Sequence, residues 1–412
     1  MQFYKFEGIT AAEKWSEEND SRRIMREKVR KISMKTNDFN QLQQHRAYLF
    51  VNDASESTVT VGVIVKNCSN IIDLISEYLR TIEIELKETC LDEITFSSLR
   101  NMLSCASRND YIRDDDEVLE QFDLDKLNGR YSRGITYGER ILDACDKESI
   151  YEDAGRFLAK DTFIPELNRI YAGGAKQNAI GHLVHYMIQT DDRETRKGMY
   201  RILLQALYAN NRLHSKRYCF LDFSPGESFS CMIYDCLYKS AVGGAVIVRY
   251  LANDDTEDDY ADCGRDTIEA LCETMKKYRH QVLTVFCLPR ECTTSKDIFY
   301  ENLGNTSIVE FKEEFVSGEC AKEFLKGLAK DRKIRTDKNL FERLEAEKGY
   351  LAPDLHNLFD DWYNNKLYTV VYPQYRDVVT AKCEVIKAAP KGSAYDELSH
   401  MIGLGEAKKM IN

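Results

Sequence analysis

The stretch "GHLVHYMIQTDDRETRKGMYRILLQALYANNRL", residues 181–213, decides how the second half of the chain is read. Its first eight residues form an apolar run of strand length. A helix-period segment follows, with Met199, Ile202, Leu203 and Leu207 on one face. The same alternation continues downstream. "KRYCFLDF" (216–223), "GGAVIVRYL" (243–251), "QVLTVFCLP" (281–289) and "SIVEFKEEF" (307–315) read as strands. Between them, "GESFSCMIYDCLYKSA" (226–241), "GRDTIEALCETMKKYRH" (264–280) and "SKDIFYENLG" (295–304) read as helices. Five near-continuous apolar strands alternating with helices predict an α/β fold with a parallel sheet covered on both faces. After the fifth strand the pattern turns helical, in "SGECAKEFLKGLAKDRK" (317–333) and "KNLFERLEAEKGYLAPDLHNLFDDWYNN" (338–365). "KLYTVVYPQY" (366–375) is expected as a last edge strand. "KAAPKGSAYDEL" (387–398) reads as a linker.

Upstream, residues 1–150 read as a separate α+β domain. "HRAYLFV" (45–51) and "STVTVGVIV" (57–65) flank the turn signal "NDASE". "CSNIIDLISEYLRTIEIEL" (68–86) is a helix with Ile71, Ile72, Leu74, Ile75 and Leu79 on one face and Ser69 as its cap. "LDEITFSSLRNMLSCA" (91–106) adds a strand or short helix. Strand, strand, helix, strand is half of a ferredoxin-like sandwich, a likeness of topology that carries no function.

The chain has 412 residues, 43% of them hydrophobic and 30% charged, enough for two or three domains with real cores. No apolar run reaches the length of a signal peptide or a membrane span, so a cytoplasmic protein with no membrane partner is expected. Thirteen scattered cysteines fit reduced thiols. The Cys231/Cys236 and Cys287/Cys292 spacings and the His182-x-x-His185 pair lack the tight knuckles of a zinc site, and no metal is expected. The net charge of −11 disfavours nucleic acid as a partner. The basic run "SRRIMREKVRKISMK" (21–35) is read as the solvated face of a helix carrying Ile24, Met25, Val29 and Ile32. The acidic stretches 113–127 and 254–266 are read as solvated in the same way.

Two segments carry a resemblance. "CAKEFLKGLAKDRKIRTDKNLFERLE" (320–345) resembles the helical lid of the AAA+ ATPases in the group of the rubisco activase CbbX and stage V sporulation protein K. "DELSHMIGLGEAKKMIN" (396–412) resembles the segment that opens an AAA+ module in that group, with Ile402, Gly403, Leu404 and Lys408 at the positions that frame the adenine. The resemblance implies an AAA+ core over 160–316, a lid over 317–380, and a linker with the start of a second module over 381–412. It implies that the chain is the front part of a longer protein whose ATP and Mg²⁺ belong to a module after Asn412. It also implies self-association in the full protein and a protein substrate or adaptor as partner.

The chemistry of hydrolysis is missing from the module in hand. A P-loop needs GxxxxGK[ST] directly after the first strand, so that backbone N–H groups, a Lys and a hydroxyl meet the phosphates and Mg²⁺. Here the position holds "QTDDRETRKGMY" (189–200), with Asp191 and Asp192 where phosphate oxygens would lie. "GGAKQNAIGH" (173–182) precedes the strand and reads as a turn. The third strand ends in Arg249 and Tyr250, with Asp254 and Asp255 too late to hold Mg²⁺. The fourth offers Cys287 and Leu288 where a polar sensor is needed, and Arg290 and Glu291 after it read as exposed. No catalytic residue is assigned. Ser224 and Ser228 lack the G-x-S-x-G elbow. The chain is therefore expected to be a non-catalytic recognition and assembly part of an AAA+ protein. The alternative is a module that binds a nucleotide or nucleic acid without hydrolysing it. A nucleotide would sit at the C-terminal strand ends against Thr190, Arg193, Arg196 and Lys197, and a nucleic acid would be held by the N-terminal sandwich and residues 22–35.

Overall fold

Strands that are apolar on both sides must be covered on both faces, and the runs between 184 and 312 are, in this computed structural model. The structure describes residues 1–10, 21–54, 57–66, 70–127, 136–173, 182–223, 231–250, 261–290, 292–345 and 347–375. The chain divides into two units, Met1–His356 and Asn357–Asn412. Both sheets lie in the first.

The first sheet is antiparallel. β1 (Gln2–Thr10) is followed by α1 (Ser21–Leu42), β2 (Ala47–Ala54), β3 (Thr58–Val65), α2 (Ile71–Thr81) and β4 (Leu86–Glu93). The strand order is β2-β3-β1-β4. This β-α-β-β-α-β unit is the complete ferredoxin-like arrangement rather than half of it. The addition is β1, which pairs with β3 on one side and β4 on the other. The helix α2 is capped by Asn70, whose side chain accepts from the Asp73 N–H at 3.4 Å; Ser69, the expected cap, lies outside the described residues. Two more helices, α3 (Phe96–Arg108) and α4 (Asp115–Gln121), follow β4. Within the run, Arg26, Lys28, Arg30 and Lys31 of α1 are exposed, Lys31 and Lys35 both bridge the exposed Glu83, and Ile32 is buried; the side chains of 21–25 lie outside the described residues.

The second sheet has six strands rather than five. It is built from β5 (Thr136–Ile141), α5 (Lys147–Ala154), α6 (Lys160–Ala172), β6 (Val184–Gln189), α7 (Arg193–Ala209), β7 (Arg217–Phe223), α8 (Cys231–Ser240), β8 (Ala245–Tyr250), α9 (Ala261–Tyr278), β9 (Leu283–Leu288), α10 (Thr293–Leu303) and β10 (Ser307–Lys312). The order is β10-β6-β9-β8-β7-β5. The five expected strands are parallel, and β5 joins the edge antiparallel to β7. Gly138 leaves room for the Phe220 ring of the facing strand, since a Cβ there would stand 2.2 Å from Cζ of Phe220. One face packs Phe163, Met199, Ile202 and Leu203 on Tyr186, Ile188 and Val285. The other packs Ile233, Leu237, Leu271 and Phe299 on Val246, Val248 and Phe286, and its apolar cluster continues into the first sheet.

The two sheets are pinned by a buried polar knot. The Met1 amine donates to the carbonyls of Ser240 and Val242, at 3.0 and 2.9 Å. Burial and the neighbouring Arg217 push this amine down to about 4. Arg217 pairs with Glu139 at 2.8 Å, both side chains being at most 5% exposed, and lies over the Phe3 ring.

After β10 come α11 (Gly318–Asp331), α12 (Lys338–Phe341) and α13 (Ala352–Lys366). Residues 366–375 are not an edge strand. A π-turn over Leu367–Val371 and a 3₁₀ turn over Pro373–Tyr375 extend the helical path, and Val370, Val371 and Tyr372 are exposed. Strand propensity expresses itself only against a partner strand, and no described strand pairs with this run.

Candidate functional site

Open α/β sheets place ligands in the crevice beyond the strand C-termini, where neighbouring strands send the chain in opposite directions. In this order that point lies between β6 and β9. The chain leaves β6 toward β7 and leaves β9 toward β10.

The crevice is occupied by the protein's own polar groups. Thr190 is fully buried, and its hydroxyl donates to Glu313 Oε2 at 2.5 Å. The Asp192 N–H donates to Thr190 Oγ1 at 3.2 Å. Asp192 then caps α7, its Oδ2 accepting from the Thr195 N–H at 2.7 Å and the Thr195 hydroxyl at 2.5 Å. Asp191 Oδ1 accepts from the Arg290 N–H at 2.9 Å. The helix N-terminus, where a phosphate would find free N–H groups and a favourable dipole, already holds a carboxylate. Glu313 is 1% exposed. Burial pushes its carboxyl up to about 7; Asp192 and Asp191 add to this, while the Thr190 hydroxyl and Arg290 work against it. The Arg290 guanidinium is not free in solvent but lies over the Phe315 ring at 4.6 Å.

The ends of the other strands are equally committed. Arg249, at the end of β8, makes a bidentate pair with Asp222 of β7 at 2.6 and 2.8 Å and lies over Phe220. Tyr250 accepts from Ser295 at 2.8 Å. Cys287 and Leu288 are buried at the end of β9. Asp254 and Asp255 lie outside the described residues, as do Ser224, Ser228, Glu291, Ile402, Gly403, Leu404, Lys408 and the chain beyond 375.

Two cavities flank the α7 N-terminus. The larger, about 580 Å³, lies between the α5–α6 junction, the start of α7 and α11. Arg156 and Lys160 line it against Asp161, Glu194, Glu314, Glu323 and Asp331. Arg156 is already bridged to Glu152, Asp153 and Asp331. The balance of the walls is acidic and disfavours a triphosphate. The smaller, about 250 Å³, lies on the other side of α7 and has the opposite sign. It gathers Arg193, Arg196 and Lys197 with Arg140 of β5 and Arg249 of β8. Of the four contacts expected from the sequence, the structure brings these three together. Thr190 is instead turned to Glu313. Arg140 and Arg249 were missed because topology alone delivers them.

His182 and His185 are buried, their rings 6.4 Å apart, and His185 Nδ1 accepts from the Thr284 N–H at 3.0 Å. Burial pushes both imidazoles down, to about 3 and 4. Neutral rings used in this way are core residues. Among the described residues no group of three or more potential ligands is placed to hold a metal, and no helix is long and apolar enough to cross a membrane.

No family model matches the chain, and no curated protein matches it. Among solved structures, a chain of the "Structure of E. coli MS115-1 HORMA:CdnC:Trip13 complex" is similar over 58% of this chain and 89% of its own, at 10% identity and a TM-score of 0.32. A likeness of that size carries no conclusion for this protein.

Proposed function

We propose that this chain is a non-hydrolysing recognition and assembly module of the AAA+ protein-remodelling type. The observation that carries the reading is the closed crevice after β6, where Asp192 caps α7 and the buried Glu313 holds Thr190. The resemblance of 320–345 and 396–412 to the CbbX and stage V sporulation protein K group supports the AAA+ assignment. The parallel sheet followed by helices fits it. On this reading the ferredoxin-like sheet and the exposed faces of the α/β body contact a protein substrate or adaptor. ATP and Mg²⁺ would act in a module downstream, through which the full-length protein self-associates. The direct test is phosphate release by this chain with ATP and Mg²⁺. The expected result is no turnover above a protein-free blank. Mg²⁺-dependent turnover that tracks the protein through purification would overturn the proposal.

One observation favours a further role in binding phosphate. The cationic pocket beside α7 is separate from the closed crevice.

A further inference from the structure

We propose that the pocket between α7 and the β5–β7–β8 edge of the sheet is a phosphate-binding site, taking one phosphate or diphosphate group. It stands on a different observation from the closed crevice and does not depend on how that crevice is read.

Five cationic side chains line about 250 Å³, with one carboxylate, Asp222, among them. Asp222 is fully used by Arg249 in a two-bond pair. Lys197 has only Glu194 at 3.5 Å, and that side chain is 72% exposed, so the bridge is weak. Arg140, Arg193 and Arg196 form no ion pair with any described residue. Among the described residues, three of the pocket's five cations thus have no ion-pair partner, in a protein whose net charge is −11. Several basic residues elsewhere on the described surface are paired, as Lys31 and Lys35 are with Glu83, Lys277 with Asp235, and Arg265 with Glu269 and Glu301.

Such crowding is unfavourable without an anion. Arg193, Arg196 and Lys197 stand at i, i+3 and i+4 on one helix, a spacing at which like charges repel by about 0.2–0.5 kcal/mol per pair. Arg140 and Arg249 approach the same space from two strands. A shared anion removes the repulsion and gives each guanidinium an acceptor. Arg forks match the oxygens of carboxylates and phosphates in pairs, and the three oxygens and larger charge of a phosphate serve several forks where the two of a carboxylate serve fewer.

Size sets the rest. The cavity is below the range of about 300–1,000 Å³ that encloses a drug-sized ligand. It suits a phosphate group whose carrier extends into solvent. The bearer is either a free phosphate compound or a phosphorylated side chain on a partner, a recognition mode built on Arg clusters.

The test is calorimetric titration of the full chain at low salt with pyrophosphate, with a phosphoserine peptide and its unphosphorylated form, and with sulfate. The expected result is saturable pyrophosphate binding that weakens with added salt. Arg196→Gln and Arg140→Gln should each weaken it by about tenfold, since each removes a charge-assisted contact. Arg265→Gln, remote and already paired, should leave it unchanged. Matching circular dichroism of the two pocket variants separates lost binding from lost fold. Binding of the phosphoserine peptide, but not of its unphosphorylated form, would support the site and name a partner's side chain as the source. Pyrophosphate binding alone would support it with a free phosphate compound as the source. No saturable pyrophosphate binding at millimolar concentration, sulfate binding as tight as pyrophosphate, or binding indifferent to both pocket variants would overturn it.

Discussion

Glu313→Gln should stabilise the protein, and the gain should grow with pH. Glu313 is 1% exposed and its carboxyl stands at about 7 instead of the ordinary 4.5. Its native pKa lies above its unfolded value, so between these two values the folded state binds more protons than the unfolded one. Stability therefore falls as pH rises from below 4.5 through 7. At 1.36 kcal/mol for each pKa unit, keeping this carboxylate charged in the fold costs about 3 kcal/mol above pH 8. Glutamine keeps an oxygen to accept from the Thr190 hydroxyl and carries no charge. The stability difference between variant and parent should thus be small near about pH 5 and rise by about 2 kcal/mol between about pH 5.5 and pH 8. Urea denaturation of both proteins across this range measures it. Subtracting the two curves cancels other titrating groups, including His182 and His185, whose lowered pKa values make them lose stability as pH falls. A difference that stays flat, or a variant less stable at pH 8, would refute the reasoning, because Glu313 would then be held as a favourable carboxylate.

Breaking the knot between the sheets should be costly. Glu139→Ala leaves Arg217 buried and unpaired and should cost about 3–5 kcal/mol in urea denaturation, whereas Arg217→Met with Glu139→Leu should cost much less. The thiols of Cys219, Cys236, Cys272 and Cys287, all pushed up to about 12 by burial, should resist a thiol reagent at pH 8, while the exposed Cys320 reacts. Mass-spectrometric mapping of the labelled sites checks this. Gly62→Ala would place a Cβ 2.2 Å from Cζ of Phe50 and should lower stability by about 1–3 kcal/mol through overpacking.

The five parallel strands were legible because burial on both faces forces continuous apolar runs, and every such run became a strand. β4 (Leu86–Glu93) met the strand or short helix expected over 91–106 only at 91–93, the rest of that run being mostly α3, and β1 and β5 escaped notice altogether, for physical reasons. β1, "QFYKFEGIT", buries Phe3, Phe6 and Gly8 only, and an irregularity between Glu7 and Ile9 breaks its alternation. β5, "TYGERI", carries a glycine that holds Phe220 and a glutamate whose partner, Arg217, stands 78 residues away. Neither feature reads as strand without the neighbour. The run 366–375 misled in the other direction, since its Val and Tyr residues found no strand to pair with. At the crevice, Asp191 and Asp192 were legible as groups that repel phosphate, but Glu313 was not. It arrives from β10, over a hundred residues later in the chain, and only the β10–β6 pairing sets it against Thr190. The cationic pocket was half legible for the same reason. The helical spacing showed Arg193, Arg196 and Lys197, while Arg140 and Arg249 needed the sheet order.

A non-hydrolysing role for this chain requires the crevice after β6 to be closed to a nucleoside triphosphate. The most direct measurement is a calorimetric titration of Mg·ATP into the Arg140→Gln, Arg196→Gln double variant, in which the cationic pocket no longer competes for phosphate. No saturable heat is expected at millimolar ATP. Saturable binding that changes on further substitution of Asp192→Asn would contradict it, because the nucleotide would then be reaching the α7 N-terminus that Asp192 is held to occupy.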